Sequence, residues 1–462
     1  MLGREAAPML IGKPAATAAR TQEETPMLNL VRSCLFAGLA LLLTQPARAA
    51  TTIELWHAMS GALNDRVDEL ADKFNKSQSE SVLKPVLKGG YDDVVNSMIA
   101  AYRARQHPPI VQVNERGFLT MLSSGAILPA AELMAKAGHK IDWSDFIAPV
   151  ATYFTKDGMM MAMPFNSSTP ILFYNADHFK AAGFDKPAST WPELEAQLYA
   201  ISKKGVSKCA MVFPADWEWS FLENYSAIED IPYATKRNGF DGLGAEYVFN
   251  KGRLVGHMER VKRFLDDGIL ELAGQGINPG QLFIAGRCST VINSTAAHAA
   301  VEAGAKFNWS ATFLPTEAGS PAKNSTIGGA ALWTLKGHKD EVYKGVAAFY
   351  NFLGNVETQV WWHKATGYVP VTQAAYEAAK AQGYYKDKPT REIAVVQLAR
   401  SMPSDNSKGF RLGNSAQANI AIKEEIQAGL LGQKPMQKAM DDAVGRGNEV
   451  LRQFERVNAG KY

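Results

Sequence analysis

The chain has 462 residues, 49 basic and 46 acidic side chains, a formal net charge of +3 and three cysteines. So even a charge balance gives no electrostatic case for nucleic acid or an anionic membrane surface as a partner. The length exceeds that of a usual single domain and favours two lobes, each with its own core.

Residues 1–26 are rich in Ala, Pro and Thr, show no apolar period and read as a disordered upstream extension. Met27 opens a different pattern: Arg32 is a basic n-region, LFAGLALLL (35–43) a short apolar run, and Ala47-Arg48-Ala49 a small-x-small cleavage site. That is the layout of a secretory signal peptide over 27–49, with Met27 as the expected start and cleavage after Ala49. A membrane-spanning helix needs about 20 apolar residues, far more than this run offers. Cys34 precedes the apolar run, which argues against a lipoprotein anchor. Cleavage would leave 413 residues with a net charge of +1.

The mature chain begins with the strand signal TTIELWHAM, followed by a helix over 63–77 with Val67, Leu70, Ala71 and Phe74 at helical spacing. SVLKPVLKGG (81–90) predicts a second strand, DDVVNSMIAAYRA (92–104) a helix, PPIVQVNE (108–115) a third strand and FLTMLSSG another helix. This alternation predicts an α/β fold with a mostly parallel sheet and ligands at the strand C-termini. Strands are again predicted at 210–215, 289–294 and 327–335, and the chain closes on the helical stretches QANIAIKEEIQAGLLG and MQKAMDDAVGRGNEVLRQFERV. Cys209 and Cys288 each start an apolar strand-like run, so they could lie in neighbouring strands. Export permits a disulfide between them, and two buried thiols fit equally well.

The layouts of catalysis are missing. There is no G-x-S-x-G nucleophile turn, no G-x-x-x-x-G-K-[ST] phosphate loop, and none of the eight histidines stands in H-E-x-x-H. Gly274-Gln-Gly276 begins a dinucleotide-like run, but Pro279 takes the place of its last glycine. The expectation is a protein without catalytic residues, metal or cofactor. In SKGFRLGN (407–414), Arg411 sits between Phe410 and Leu412; an enclosed guanidinium needs an anion, either a structural carboxylate or a ligand.

At PFNSSTPILFYN (164–175), taken with the export signal, the sequence resembles the solute-binding proteins of ABC importers, in which such a stretch forms the first hinge crossing between lobes. TIELWHAM, LKGGY, QVNERG, PFNSSTP, LENYSA, NGFDG, IGGAALW, KATGYVPVT, SKGFRLGN and AVGRGNEVLRQFE follow the order of the sn-glycerol-3-phosphate-binding proteins of Ugp-type importers. The resemblance implies a two-lobed periplasmic-binding-protein fold of class II type, related to maltose-binding protein, with the ligand cleft between lobes joined by hinge crossings. It places residues 50–165 and 316–375 in the N-terminal lobe, and 166–315 and 376–462 in the C-terminal lobe.

The implied activity is capture of sn-glycerol 3-phosphate in the periplasm by a monomer. Delivery would be to a permease heterodimer driven by a cytoplasmic ATPase dimer. The resemblance implies that Tyr91 and Glu115 face the glycerol hydroxyls, with Trp219 lending a flat apolar face. It gathers Ser168, Ser294, Gly329, Tyr368 and Arg411 around the phosphate, so that the anion facing Arg411 would be the ligand. Two departures affect the polyol end: the family has an aromatic residue where Asn114 stands, and Asp216 replaces one of two tryptophans, with Trp217 one place along. Alternatives are the same fold binding glycerophosphocholine, another glycerophosphodiester, or a sugar or polyol. A secreted phosphoester hydrolase is a further alternative, disfavoured by the missing metal-ligand cluster.

Overall fold

The computed structural model describes residues 50–215, 217–273 and 278–460. The extension and signal peptide expected over 1–49 lie outside the described residues, as do Asp216 and the Gly274-Gln-Gly276 run.

Alternating strands and helices open the chain. Strands β1 (Thr51–His57), β2 (Ser81–Leu87) and β3 (Ile110–Asn114) are linked by the helices Ala62–Ser77 and Tyr91–Arg103. Val67, Leu70, Ala71 and Phe74 are buried on the first helix, the face their spacing predicts. There follow β4 (Ile127–Leu128), the hairpin β5 (Thr155–Lys156) and β6 (Met159–Met160), then β7 (Met163–Ser168) and β8 (Pro170–Asn175). The remaining strands are β9 (Cys209–Val212), β10 (Leu270–Glu271), β11 (Cys288–Ser294), β12 (Trp309–Thr312) and β13 (Gly328–Leu335).

Two main sheets result. The first runs β2-β1-β3-β13-β4 with β7 also on β13, and the second runs β10-β9-β11-β8-β12. Both are mixed where the alternation predicted mostly parallel pairing. Helical crossovers make β1 parallel to β2 and β3, and β9 parallel to β10 and β11. By contrast β13 is antiparallel to β3, β4 and β7, and β8 is antiparallel to β11 and β12. β8 and β13 each arrive from the other sheet, so no crossover within one sheet fixes their direction.

The first passage between sheets takes a single residue, Thr169, between β7 and β8. Its Oγ1 lies 2.6 Å from Ser325 Oγ and 3.1 Å from the Thr326 carbonyl, on the segment that returns the chain to β13. Gln397 pins the pair: Nε2 donates to the Pro170 carbonyl at 2.9 Å, and Oε1 accepts from Leu314 N at 2.8 Å. All of these groups are buried, so each bond also prevents the penalty of an unsatisfied polar group.

One apolar cluster gathers Ile53, Leu55, Val111, Trp333 and Phe349 around the first sheet, and another gathers Leu172, Met211, Phe264, Ile292 and Ile422 around the second. The division is not one core per sheet. Ile171 and Phe173 of β8 join the first cluster and Leu172 and Tyr174 the second, because alternate residues face opposite sides of a sheet covered on both faces. Cys209 and Cys288 are register partners on β9 and β11 and form a disulfide with Cα atoms 4.6 Å apart, which decides between the two alternatives left open by the sequence.

Candidate ligand cleft

A cavity of about 180 Å³ opens where the sheets meet, lined by Tyr91, Asn114, Glu115, Arg116, Ser168, Trp219, Ser294, Gly328, Gly329 and Tyr368. Most come from element ends. Tyr91 opens the helix after β2, and Glu115 starts a short 3-10 turn after β3. Ser168 ends β7 and Ser294 ends β11. Gly328 and Gly329 begin β13. Seven residues implied by the resemblance therefore meet at one cavity.

The floor is braced by a chain of amides. Asn166 Nδ2 donates to Tyr91 Oη at 3.0 Å, Gln112 Nε2 donates to Asn166 Oδ1 at 2.8 Å, and Ala58 N donates to Gln112 Oε1 at 2.7 Å. Tyr368 is buried, and burial pushes its hydroxyl up to about 12, so it remains a proton donor at neutral pH. Ser294 Oγ accepts from Ala296 N at 3.2 Å, a capping role that leaves its own O–H available.

Close approach explains both glycines. Gly329 has φ +109°, and a Cβ there would stand 1.8 Å from the Asn166 carbonyl oxygen. A Cβ on Gly328 would stand 2.5 Å from the Trp219 indole, so the missing side chain is what lets that ring lie against β13. Trp219 belongs to a π-helical turn, Glu218–Glu223, of the kind that often marks functional sites. Its buried Nε1–H finds no acceptor among the described residues. Trp217, by contrast, packs on Phe213 at 5.8 Å and does not line the cavity.

Arg411 is the exception. It is 9% exposed but does not line the cavity. Its Nη2 donates to the carbonyls of Thr152 and Tyr153 at 2.9 Å each, and also to that of Thr155. Its guanidinium carbon sits 4.4 Å from the Phe118 ring centre and 4.2 Å from that of Phe240. The counter-charge expected from a ligand is supplied by main-chain oxygens at the end of the helix Ala148–Phe154 and by two aromatic faces. In this arrangement Arg411 therefore stands beside the cleft and not in its lining.

The cationic side chain in the cleft wall is Arg116. Arg116 Nε lies 3.8 Å from Glu115 Oε1, Nη1 lies 3.3 Å from Glu218 Oε1, and Nη2 lies 3.3 Å from Glu223 Oε2. With its amide turned so that the oxygen faces the guanidinium, Asn419 accepts from both Nε and Nη1 at 3.0 Å. Glu218 is fully buried and has a second cation, Lys423, at 2.8 Å. Burial raises the Glu223 carboxyl above its ordinary value against the pull of Arg116. Adjacency to Glu115 was the one sequence signal for Arg116; its other carboxylate partners lie 102 and 107 residues further along.

The family model for bacterial extracellular solute-binding proteins matches residues 69–392. The sn-glycerol-3-phosphate-binding periplasmic protein UgpB of Salmonella typhimurium is 40% identical over 440 residues, covering 94% of this chain and 100% of that one. The protein of the same name from Rhizobium meliloti is 40% identical over 410 residues, 88% of this chain and 95% of that one. Among solved structures, UgpB from Mycobacterium tuberculosis in complex with glycerophosphocholine superposes with a TM-score of 0.76 at 21% identity. That match covers 87% of this chain and 99% of that one. With two sheets, a polar cleft where they meet and likeness along nearly its whole length, the chain belongs to the bacterial extracellular solute-binding proteins.

Proposed function

We propose that this protein is a periplasmic receptor that captures sn-glycerol 3-phosphate in the cleft and presents it to a membrane permease heterodimer driven by a cytoplasmic ATPase dimer. The signal peptide over 27–49 would direct export, and the free protein would be a monomer. The observation that carries the reading is the convergence of Tyr91, Glu115, Ser168, Trp219, Ser294, Gly329 and Tyr368 on one cavity. The chemistry suits a small phosphate ester. Ser168, Ser294 and Tyr368 offer hydroxyl donors to the phosphate, and Gly329 lets the main chain come close. Glu115 and Tyr91 take the hydroxyls at the other end, and Trp219 covers the carbon skeleton. A site built to pair hydroxyls rejects analogues that lack them.

Residues from both sheets touch one ligand, so it binds the closed arrangement of the lobes more tightly than the open one and draws them together. No bond is made or broken. Calorimetric titration of the mature protein with sn-glycerol 3-phosphate should give tight one-to-one binding; absence of heat at micromolar concentrations rejects the proposal.

One observation favours a second ligand. A further chamber of about 150 Å³ adjoins the cleft, sharing Trp219 and Ser294 and lined by Pro214, Asn278 and Asn293 among others. It offers room for a substituent on the phosphate, as in a glycerophosphodiester. Competition between glycerophosphocholine and sn-glycerol 3-phosphate tests this: displacement at similar concentrations supports the chamber's role, and failure to displace removes it.

A further inference from the structure

We propose that the ligand cleft continues at its alcohol end, past Asn114, into a second chamber that takes the carbon chain of a longer polyol phosphate. The inference rests on the phosphate-ester reading above and extends the ligand class from glycerol phosphate to terminal phosphates of larger linear polyols.

A cavity of about 280 Å³, larger than the cleft itself, lies beside it. Asn114 and Arg116 are the two residues common to both linings, so they form the partition. The place of the chamber decides which end of a ligand it serves. Tyr91 in the cleft and Asp92 in the chamber are successive residues at the start of one helix, and Asn114 directly precedes Glu115. Tyr91 and Glu115 are the residues assigned to the hydroxyls. Ser168, Ser294 and Gly329, assigned to the phosphate, do not border the chamber. A chain lengthened at its alcohol end therefore has this space before it, whereas a substituent on the phosphate has the one beside Trp219.

The lining suits a neutral, hydroxylated chain. Asp92, Val95, Asn96 and Ile99 form one stripe along the helix Tyr91–Arg103, and Thr120 and Gln417 join them from two other helices. Carboxylate, amide and hydroxyl groups pair polyol hydroxyls, while Val95 and Ile99 cover the carbon face. Asp92 and Arg116 are the charged residues of the lining and offset each other, so nothing here calls for a second charged group on the ligand.

The two halves of the partition differ in how they are held. Arg116 is fixed by Glu218, Glu223 and Asn419. Asn114, half-buried at the end of β3, makes no side-chain capping bond to the 3-10 turn it precedes. A change of its rotamer opens the way for a carbon chain.

Affinities for sn-glycerol 3-phosphate and for ribitol 5-phosphate should be measured by calorimetry in the mature wild type, N114F and N96W, with circular dichroism as a check on folding. The ratio of the two affinities is the readout, because it cancels a general loss of binding. The wild type should bind ribitol 5-phosphate within about tenfold of sn-glycerol 3-phosphate. N114F, which blocks the passage, should shift the ratio toward the shorter ligand by about 30-fold. N96W, which fills the chamber from its exposed outer wall, should shift it the same way by about tenfold. A wild type that binds sn-glycerol 3-phosphate but not ribitol 5-phosphate at millimolar concentration overturns the inference, as does an unchanged ratio in either folded variant. If N114F does not fold, N96W decides alone. A wild type that does not bind sn-glycerol 3-phosphate would instead sink the functional proposal on which the inference rests.

Discussion

Replacing Arg411 with alanine should damage the fold far more than it damages ligand binding. The side chain donates to the carbonyls of Thr152, Tyr153 and Thr155 and lies between the rings of Phe118 and Phe240. Hydrogen bonds from a charged donor contribute about 1.5–3 kcal/mol, and each ring roughly 0.5–1 kcal/mol. Truncation also leaves those carbonyls short of a donor at a buried site. A loss of about 3–4 kcal/mol follows, read as a lower urea midpoint at pH 7 with an unchanged slope. Affinity for sn-glycerol 3-phosphate, measured well below the transition, should stay within about fivefold of the wild type, since Arg411 lies outside the cleft lining. An unchanged midpoint with binding lost tenfold or more would refute the reasoning, because the guanidinium would then have left its carbonyls for the ligand.

Three further outcomes are expected. Gly329→Ala, with φ +109° and a Cβ 1.8 Å from the Asn166 carbonyl oxygen, should cost about 3 kcal/mol or more; Gly319→Ala, where nothing lies within 4 Å, serves as control in thermal melts. Burial, with help from Arg391, lowers His298 and His363 to about 4 each. The unfolded chain therefore takes up protons first as pH falls below about 6.5, and stability should drop between pH 6.5 and 4 by up to about 3 kcal/mol per histidine; the double variant H298Q/H363Q should flatten that slope in urea titrations. Reducing the disulfide between Cys209 and Cys288, which spans 79 residues, should lower stability by about 4 kcal/mol, checked by unfolding with and without dithiothreitol.

Much of the fold was legible because helical and strand periods are local. The helix Ala62–Ser77 buries the four residues its spacing marks, and the first three strands fall within the stretches their β-branched content indicates. Strand direction was not legible. It depends on where the chain goes between strands, and β8 and β13 betray nothing of that in their own residues. The cleft was found through resemblance, since no spacing brings Tyr91 and Ser294 together. The surroundings of Arg411 were not legible for a physical reason: its partners in this structure include main-chain carbonyls 256 to 259 residues away, and a carbonyl has no residue type to read.

The seam at Thr169 has a consequence for the order of recognition. Because that residue is tied to Ser325 and Thr326, the closure proposed above would swing about this line and not slide along it. Ser168 adjoins the axle, Ser294 pairs with Pro170, and Val369, next to Tyr368, donates to the Ser167 carbonyl at 2.9 Å. On the roles proposed above, the hydroxyl donors would stay nearly still while Glu115 travels on its arm. A ligand should be gripped first by its phosphate and judged last by its alcohol end. Inorganic phosphate alone ought then to occupy the axle without drawing the arms together, and a contraction in small-angle scattering on adding it would contradict this sequence of events.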